Sequence, residues 1–263
     1  MKQIVLAIVA VALISATPAR AEQWSKTYNI SGRPDLRVDT SDANIRVETW
    51  DQKTIEAVVI STRYKIGQGG LQIEEHQNGD MVEINVRFPH GIVMFGLGNH
   101  RVDINVHMPR EGKVDLHTGD GKIDIASFKG EMNLRSGDGA QNIQGVDGNL
   151  HATTGDGHIS ADGRFDELEL KTGDGRVDVR AGAGSKLEGD WRVQTGDGSV
   201  SVQIPADLSA DVDLHTGDGH IELDMPVSTE GRLKANEVHG KLNGGGKLMT
   251  IRTGDGSIHL GKG

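Results

Sequence analysis

Seven carboxylates stand in one fixed four-residue frame, and they are the residues of this chain whose spacing most suggests chemistry. Asp120, Asp138, Asp156, Asp174, Asp197, Asp218 and Asp255 each follow Thr-Gly, or Ser-Gly in one case, and each precedes a second glycine. One acidic group per repeat could ligate calcium between repeats, as glycine-rich Asp turns do in β-rolls. The roll pattern, however, is Gly-Gly-x-Gly-x-Asp-x-apolar-x with a nine-residue period. Here the frames start 18, 18, 18, 23, 21 and 37 residues apart. A structural turn is the favoured reading: the Asp accepts hydrogen bonds from turn N–H groups, and the Thr or Ser hydroxyl caps the same corner. A calcium-stabilised roll stays as an alternative.

Other reactive types lack the partners their chemistry needs. His117 and His215 precede a frame and His158 and His220 follow one, but the equivalent positions hold Arg135, Lys171 and Gln194, or Lys122, Arg176 and Ser199. Such variety marks a solvent-facing site, and no His-Glu-x-x-His or His-x-His spacing occurs among the eleven histidines. Asp39-Thr40-Ser41 has the outline of an aspartic-protease loop, yet it falls within Thr40 to Val47, which reads as a decayed copy of the frame and its outgoing strand. There is no Gly-x-Ser-x-Gly elbow and no cysteine, and the glycine runs at 182–184 and 244–246 precede no helical pattern. The expectation is no catalytic, metal or cofactor site and no enzyme. The class kept open against it is a carbohydrate-active enzyme on a β-helix, whose groove would use the interruptions at Phe88–Asn99, Ala181–Trp191 or Pro226–Gly240.

The elements that position these frames are strands. Val114 and Leu116 lead into Thr118, and Ile123 and Ile125 follow Gly121; the same alternation recurs around the other copies. Counted from the Thr, apolar residues sit at −4 and −2 and then at +5 and +7, so the inward parity changes across Gly-Asp-Gly. A straight strand cannot do that, so the chain bends there, and the glycines are expected to supply positive backbone angles. One 18-residue unit buries about four apolar side chains at about 2 kcal/mol each. Ordering its backbone costs more, at about 1–2 kcal/mol per residue. One unit alone is unstable, and stacking cures this. The fold class is therefore all-β, a β-solenoid of stacked coils of about 18 residues, with an antiparallel β-sandwich as the alternative. Because 37 is close to twice 18, a degenerate copy is expected between Met225 and Gly245.

Three segments follow: 1–21, 22–110 and 111–263. Lys2, the apolar run Ile4–Ile14 and Ala19-Arg20-Ala21 read as a signal peptide cleaved before Glu22. Residues 22–110 read as longer, irregular first coils, with 91–99 a loop, continuous with the regular repeats of 111–263 rather than a separate β domain. No later stretch of the mature chain is apolar enough to span a membrane. The formal charge of −10 deepens to −12 once Lys2 and Arg20 are removed, which disfavours nucleic acid as a partner. With 37 glycines, 35% hydrophobic and 3% aromatic residues, only a thin Ile/Val/Leu core between β layers is available. The product is expected in the periplasm or outside the cell.

Val102 to Pro109, an alternating strand ending in Met-Pro, runs into Lys113 to Ile125 with its Thr-Gly-Asp-Gly turn. Together with Leu242-Asn243-Gly244-Gly245-Gly246 and Leu248 to Leu260, these segments resemble a family of bacterial exported β-strand-repeat proteins that carry the label adhesin, a domain of unknown function. The resemblance covers nearly all of the mature chain. It implies a β-solenoid-like body at the cell envelope and an unknown envelope or surface partner, protein or glycan. It supplies no catalytic residues, because the label rests on architecture more than activity.

Overall fold

The computed structural model describes residues 21–89, 101–229 and 234–263. Residues 1–20 of the expected signal peptide and the expected loop at 91–99 lie outside them. Every regular element among the described residues is a strand. In the first third of the chain these are β1 (Glu22–Asn29), β2 (Asp35–Thr40), β3 (Asn44–Trp50), β4 (Thr54–Ser61), β5 (Gln72–Asn78), β6 (Met81–Arg87) and β7 (Val102–Pro109). The middle holds β8 (Glu111–Thr118), β9 (Ile123–Ala126), β10 (Lys129–Ser136), β11 (Gln141–Thr153), β12 (Ile159–Lys171), β13 (Val177–Ala181), β14 (Trp191–Gln194) and β15 (Val200–Ile204). The last are β16 (Ala210–Thr216), β17 (Ile221–Leu223), β18 (Ser228–Thr229), β19 (Glu237–Leu242), β20 (Leu248–Thr253) and β21 (Ile258–Lys262).

Each frame joins an incoming strand to an outgoing one, and equivalent strands pair in parallel. On the incoming side β2, β8, β10 and the second halves of β11 and β12 lie side by side, in the register Val114↔Met132↔Leu150↔Leu168↔Trp191 that runs on into β14. On the outgoing side Ile45, Ile123, Gln141, Ile159, Val177 and Val200 form the matching row. Both rows face inward, and their β-branched and Leu side chains are almost fully buried. Strands β11 and β12 bend midway and so contribute to both sides. At the bend Phe128, Val146 and Phe165 close the far edge of the core, and Phe165 meets the buried Trp191 edge-on at 6.3 Å.

The order of units in space is not their order in sequence. Strand β2 pairs with both β6 and β8, and β3 with both β7 and β9, so the unit of Thr40 lies between β6–β7 and β8–β9. Near the other end β20 pairs with both β14 and β16, and β21 with both β15 and β17. Residues 22–110 and 111–263 thus share both rows of strands. The expected degenerate copy at 225–245 is corrected: its described residues form β18 and β19, which pair antiparallel with each other, and β19 covers β16 antiparallel. The opposite end is covered by β5 antiparallel on β6, by β4 antiparallel on β7, and by β1 antiparallel on β4. Glu22, Lys26, Glu74 and Glu75 put charge on those outer strands, which discourages a further strand from adding.

Candidate functional site

The seven corners form one row. In six of them the N–H of the first glycine donates to the first-glycine carbonyl of the adjacent corner, Gly137 to Gly119, Gly155 to Gly137, Gly173 to Gly155, Gly196 to Gly173, Gly254 to Gly196, and Gly217 to Gly254, while Gly119 donates to the Thr40 carbonyl. None of the frame glycines has a left-handed φ, which corrects the expected backbone reason for them. Close approach is the reason instead. A Cβ on the first glycine of the frame would stand 2.6–2.8 Å from the neighbouring carbonyl oxygen at Gly137, Gly155, Gly173, Gly196, Gly217 and Gly254. On the second glycine it would overlap that neighbour outright.

The Thr is the buried polar group of the corner. Thr154, Thr172, Thr195, Thr253 and Thr216 donate to the second-glycine carbonyl of the adjacent corner at 2.6–3.1 Å, and Thr118 donates to Ala43 at 2.8 Å. The same oxygen accepts from the corner's own second-glycine N–H at 3.0–3.2 Å in four copies. Ser136 differs: it donates to its own Gly139 carbonyl and accepts from Gln141 Nε2 at 2.9 Å. Gln141 therefore sits in the Ile/Val row because the shorter Ser leaves a polar corner to satisfy, a pairing the sequence pattern did not reveal.

The aspartates behave otherwise than the turn reading expects. All seven are exposed, and among the described residues no side-chain hydrogen bond ties them to turn N–H groups. Instead the carboxylates of Asp120, Asp138, Asp156, Asp174 and Asp197 lean over the first glycine of the next corner, with Oδ1 3.0–3.6 Å from where its Cβ would be. No group of three His, Asp or Glu among the described residues could hold a metal ion. Asp156→Asn is therefore expected to change stability by no more than about 0.5 kcal/mol in urea unfolding. Thermal midpoints of the natural chain with calcium and with chelator should coincide; a calcium-dependent rise would restore the roll alternative.

The two outward faces carry rows of paired charges. On the outgoing face Lys122 bonds Asp124 at 2.6 Å, Arg176 bonds Asp178 at 2.8 Å, and His158 lies 3.4 Å from Asp178. On the incoming face His117 and Asp39 meet at 2.8 Å and Arg135 and Asp115 at 2.8 Å, so the Asp39-Thr40-Ser41 segment is one corner and one surface pair rather than a catalytic loop. An open trough of about 550 Å³ on this face is lined by Glu131, Glu167, Glu169 and His151 among others. Its carboxylates face cations or histidine: Glu131 lies 3.3 Å from Arg33 and 3.7 Å from Lys113, and Glu169 lies 3.2 Å from His151 and 3.8 Å from Arg192.

A tighter cluster lies at the bend. Arg164 donates to both oxygens of Asp166, at 2.5 and 2.7 Å, and also to Asp147 on the neighbouring strand. Hydrogen bonding to Arg164 holds the Asp166 carboxyl below the usual carboxylate range, against partial burial. A depressed folded-state value adds stability that is present above the unfolded carboxylate value of about 3.9 and fades as pH falls through the folded one. Arg164→Met should therefore narrow the stability gap between pH 6 and pH 3, measured by urea midpoints; an unchanged gap would remove this cluster from the acid sensitivity.

The profile of the Toastrack DUF4097 family matches residues 35–261. Among solved structures the chain is similar to "a putative cell adhesion protein" from Clostridium sporogenes, at 16% identity and TM-score 0.46, covering 93% of this chain and 100% of that one. It is also similar to a "putative lipid binding protein" from Parabacteroides distasonis, at 14% identity and TM-score 0.42, covering 91% and 96%. A "putative adhesin" from Bacteroides fragilis is similar at 9% identity and TM-score 0.36, covering 92% and 98%. No curated protein matches the chain.

Proposed function

The chain belongs to the Toastrack DUF4097 family, and on that footing we propose that it is an exported, non-catalytic binding or structural module of the cell envelope, built as one β-solenoid from residue 22 to 263. The observation that carries this reading is the pair of long outward faces on which acidic and basic side chains neutralise one another, unit after unit. A binding surface of that kind recognises its partner through many weak polar contacts rather than one reactive group. Parallel register between equivalent strands supports a solenoid over an antiparallel sandwich. The corner aspartates lie beside the close glycine contacts on the exposed side of the turns, and hold no metal in this reading. The lead sequence supports export, with a mature start at Glu22.

A tagged full chain expressed in a bacterial host should lose residues 1–21, seen by intact mass, and appear outside the cytoplasm. The purified mature chain should sediment with isolated cell walls or outer-membrane vesicles, and added salt should weaken this. It should release no sugar fragments from envelope polysaccharides. Fragment release would favour the enzyme alternative and point to the Glu131–Glu169 trough; no sedimentation with either fraction would remove the binding role.

A further inference from the structure

The unit of Thr216 precedes the unit of Thr253 in sequence, yet β20–β21 sits between β14–β15 and β16–β17 in space. Strands β16 and β17 therefore have to make room for a segment that follows them in the chain. They are also built to do without it. Val212 and Leu214 occupy the same row as Met249 and Ile251, the residues that pair with Trp191 and Val193. In the other row Ile221 and Leu223 align with Ile258 and Leu260, which pair with Val200 and Val202.

The corners are equally interchangeable. Gly254 and Gly256 fit against Gly196 and Gly198 through the same absent Cβ that lets Gly217 and Gly219 fit against Gly254 and Gly256. Thr253 and Thr216 use the same hydroxyl bond to the corner beneath. The connection 205–209 now carries the chain across two strand positions, whereas units of similar length elsewhere advance by one. The connection into β20 is a hinge: Asn243, Gly244 and Gly245 all have positive φ. Asn243 latches that hinge by donating to the carbonyls of Ala206 and Leu208, both at 2.8 Å.

We propose that the fold contains an exchangeable coil: residues 246–263 insert between the units of Thr195 and Thr216, and in a minor state they leave and β16–β17 closes directly onto β14–β15. The burial of Met249, Ile251, Ile258 and Leu260 favours insertion. The chain entropy regained when one coil is released opposes it, at about 1–2 kcal/mol for each residue set free. The two stackings therefore compete, and the Asn243 latch biases the choice.

The chain has no cysteine, so disulfides can be placed against a silent background. Ser201, His259 and Glu222 lie in one outward row, with Ser201 beside His259 and Glu222 beyond it. Two strand spacings of about 4.8 Å separate Ser201 from Glu222 in the inserted state. That exceeds the Cα separation of about 7 Å at which a disulfide still closes. Three double variants of the full chain are oxidised under native conditions and followed on non-reducing gels as intramolecular crosslinks. Ser201→Cys/His259→Cys reports insertion and shows that cysteine is tolerated at Ser201. Glu48→Cys/Glu222→Cys, with its sites near opposite ends, reports global unfolding. Ser201→Cys/Glu222→Cys reports the alternative stacking, and should close about ten- to a thousandfold more slowly than the first pair, the range for a state populated at roughly 0.1–10%. It should still be well ahead of the unfolding pair, and Asn243→Ala should speed it. Closure no faster than the unfolding pair would overturn the proposal.

Discussion

Gly139→Ala is expected to destabilise the protein by about 3 kcal/mol or more, above the 1–3 kcal/mol usual for an overfilled core site. The added methyl would overlap the carbonyl oxygen of Gly121, with the carbonyl carbon of Gly121 and the Asp120 carbonyl oxygen close behind it. All three belong to backbone, so no rotamer change relieves the clash. The corners themselves would have to separate, and Gly137 would lose its bond to Gly119. Ala at Asp138, in the same turn but exposed, is the control and should leave stability nearly unchanged. Urea unfolding of both variants tests the pair. A Gly139→Ala loss under about 1 kcal/mol would mean that the corners are not held in contact, and the close-approach account of the frame would fail.

The decayed first corner tests the same reasoning without a mutation. Thr40-Ser41-Asp42-Ala43 carries side chains at both glycine positions, and Ala43 is fully buried. Beyond it lies the unit of β6 and β7, and the sequence between those two strands carries no Thr-Gly-Asp-Gly frame. Among the described residues the buried Thr40 hydroxyl has no partner, whereas the hydroxyls of the later copies reach a carbonyl beneath.

Strand positions, inward parity and the bend at each frame were legible because alternating Val, Ile and Leu encode them residue by residue. Neighbour identity was not. Copies that share one pattern can stack in any order, so nothing in the sequence distinguishes Met249 beside Trp191 from Val212 beside it. The 37-residue gap looked like a missing copy because a period carries no strand direction, and β18 and β19 run antiparallel. The reason for the frame glycines was hidden for a related cause. Positive φ is a property of one residue, but close approach belongs to two corners at least 18 residues apart, and only coordinates bring them together. The aspartates stood out by repetition, yet repetition follows from identical packing demands as readily as from chemistry.

Phe165→Ala should cost about 3–5 kcal/mol, the range for removing a buried aromatic ring. Phe165 is fully buried, its ring meets Trp191 edge-on, and with Phe128 it supplies the bulk at a bend where other units have only Val146 or Leu187. Few neighbours can move in, because the backbone there is fixed by the bond that the Phe165 N–H donates to Ser185 Oγ and the bond that the Lys186 N–H donates to the Phe165 carbonyl. The place where the loss is felt is more telling than its size. In a stack each unit leans only on its neighbours, so a cavity at one unit weakens that unit and the two beside it. Amide hydrogen exchange should therefore rise in β11, β12 and β14 and stay near natural values in β2, β3 and β6. Equal acceleration throughout would mean that the chain opens as one cooperative globule, which a row of nearest-neighbour contacts does not allow.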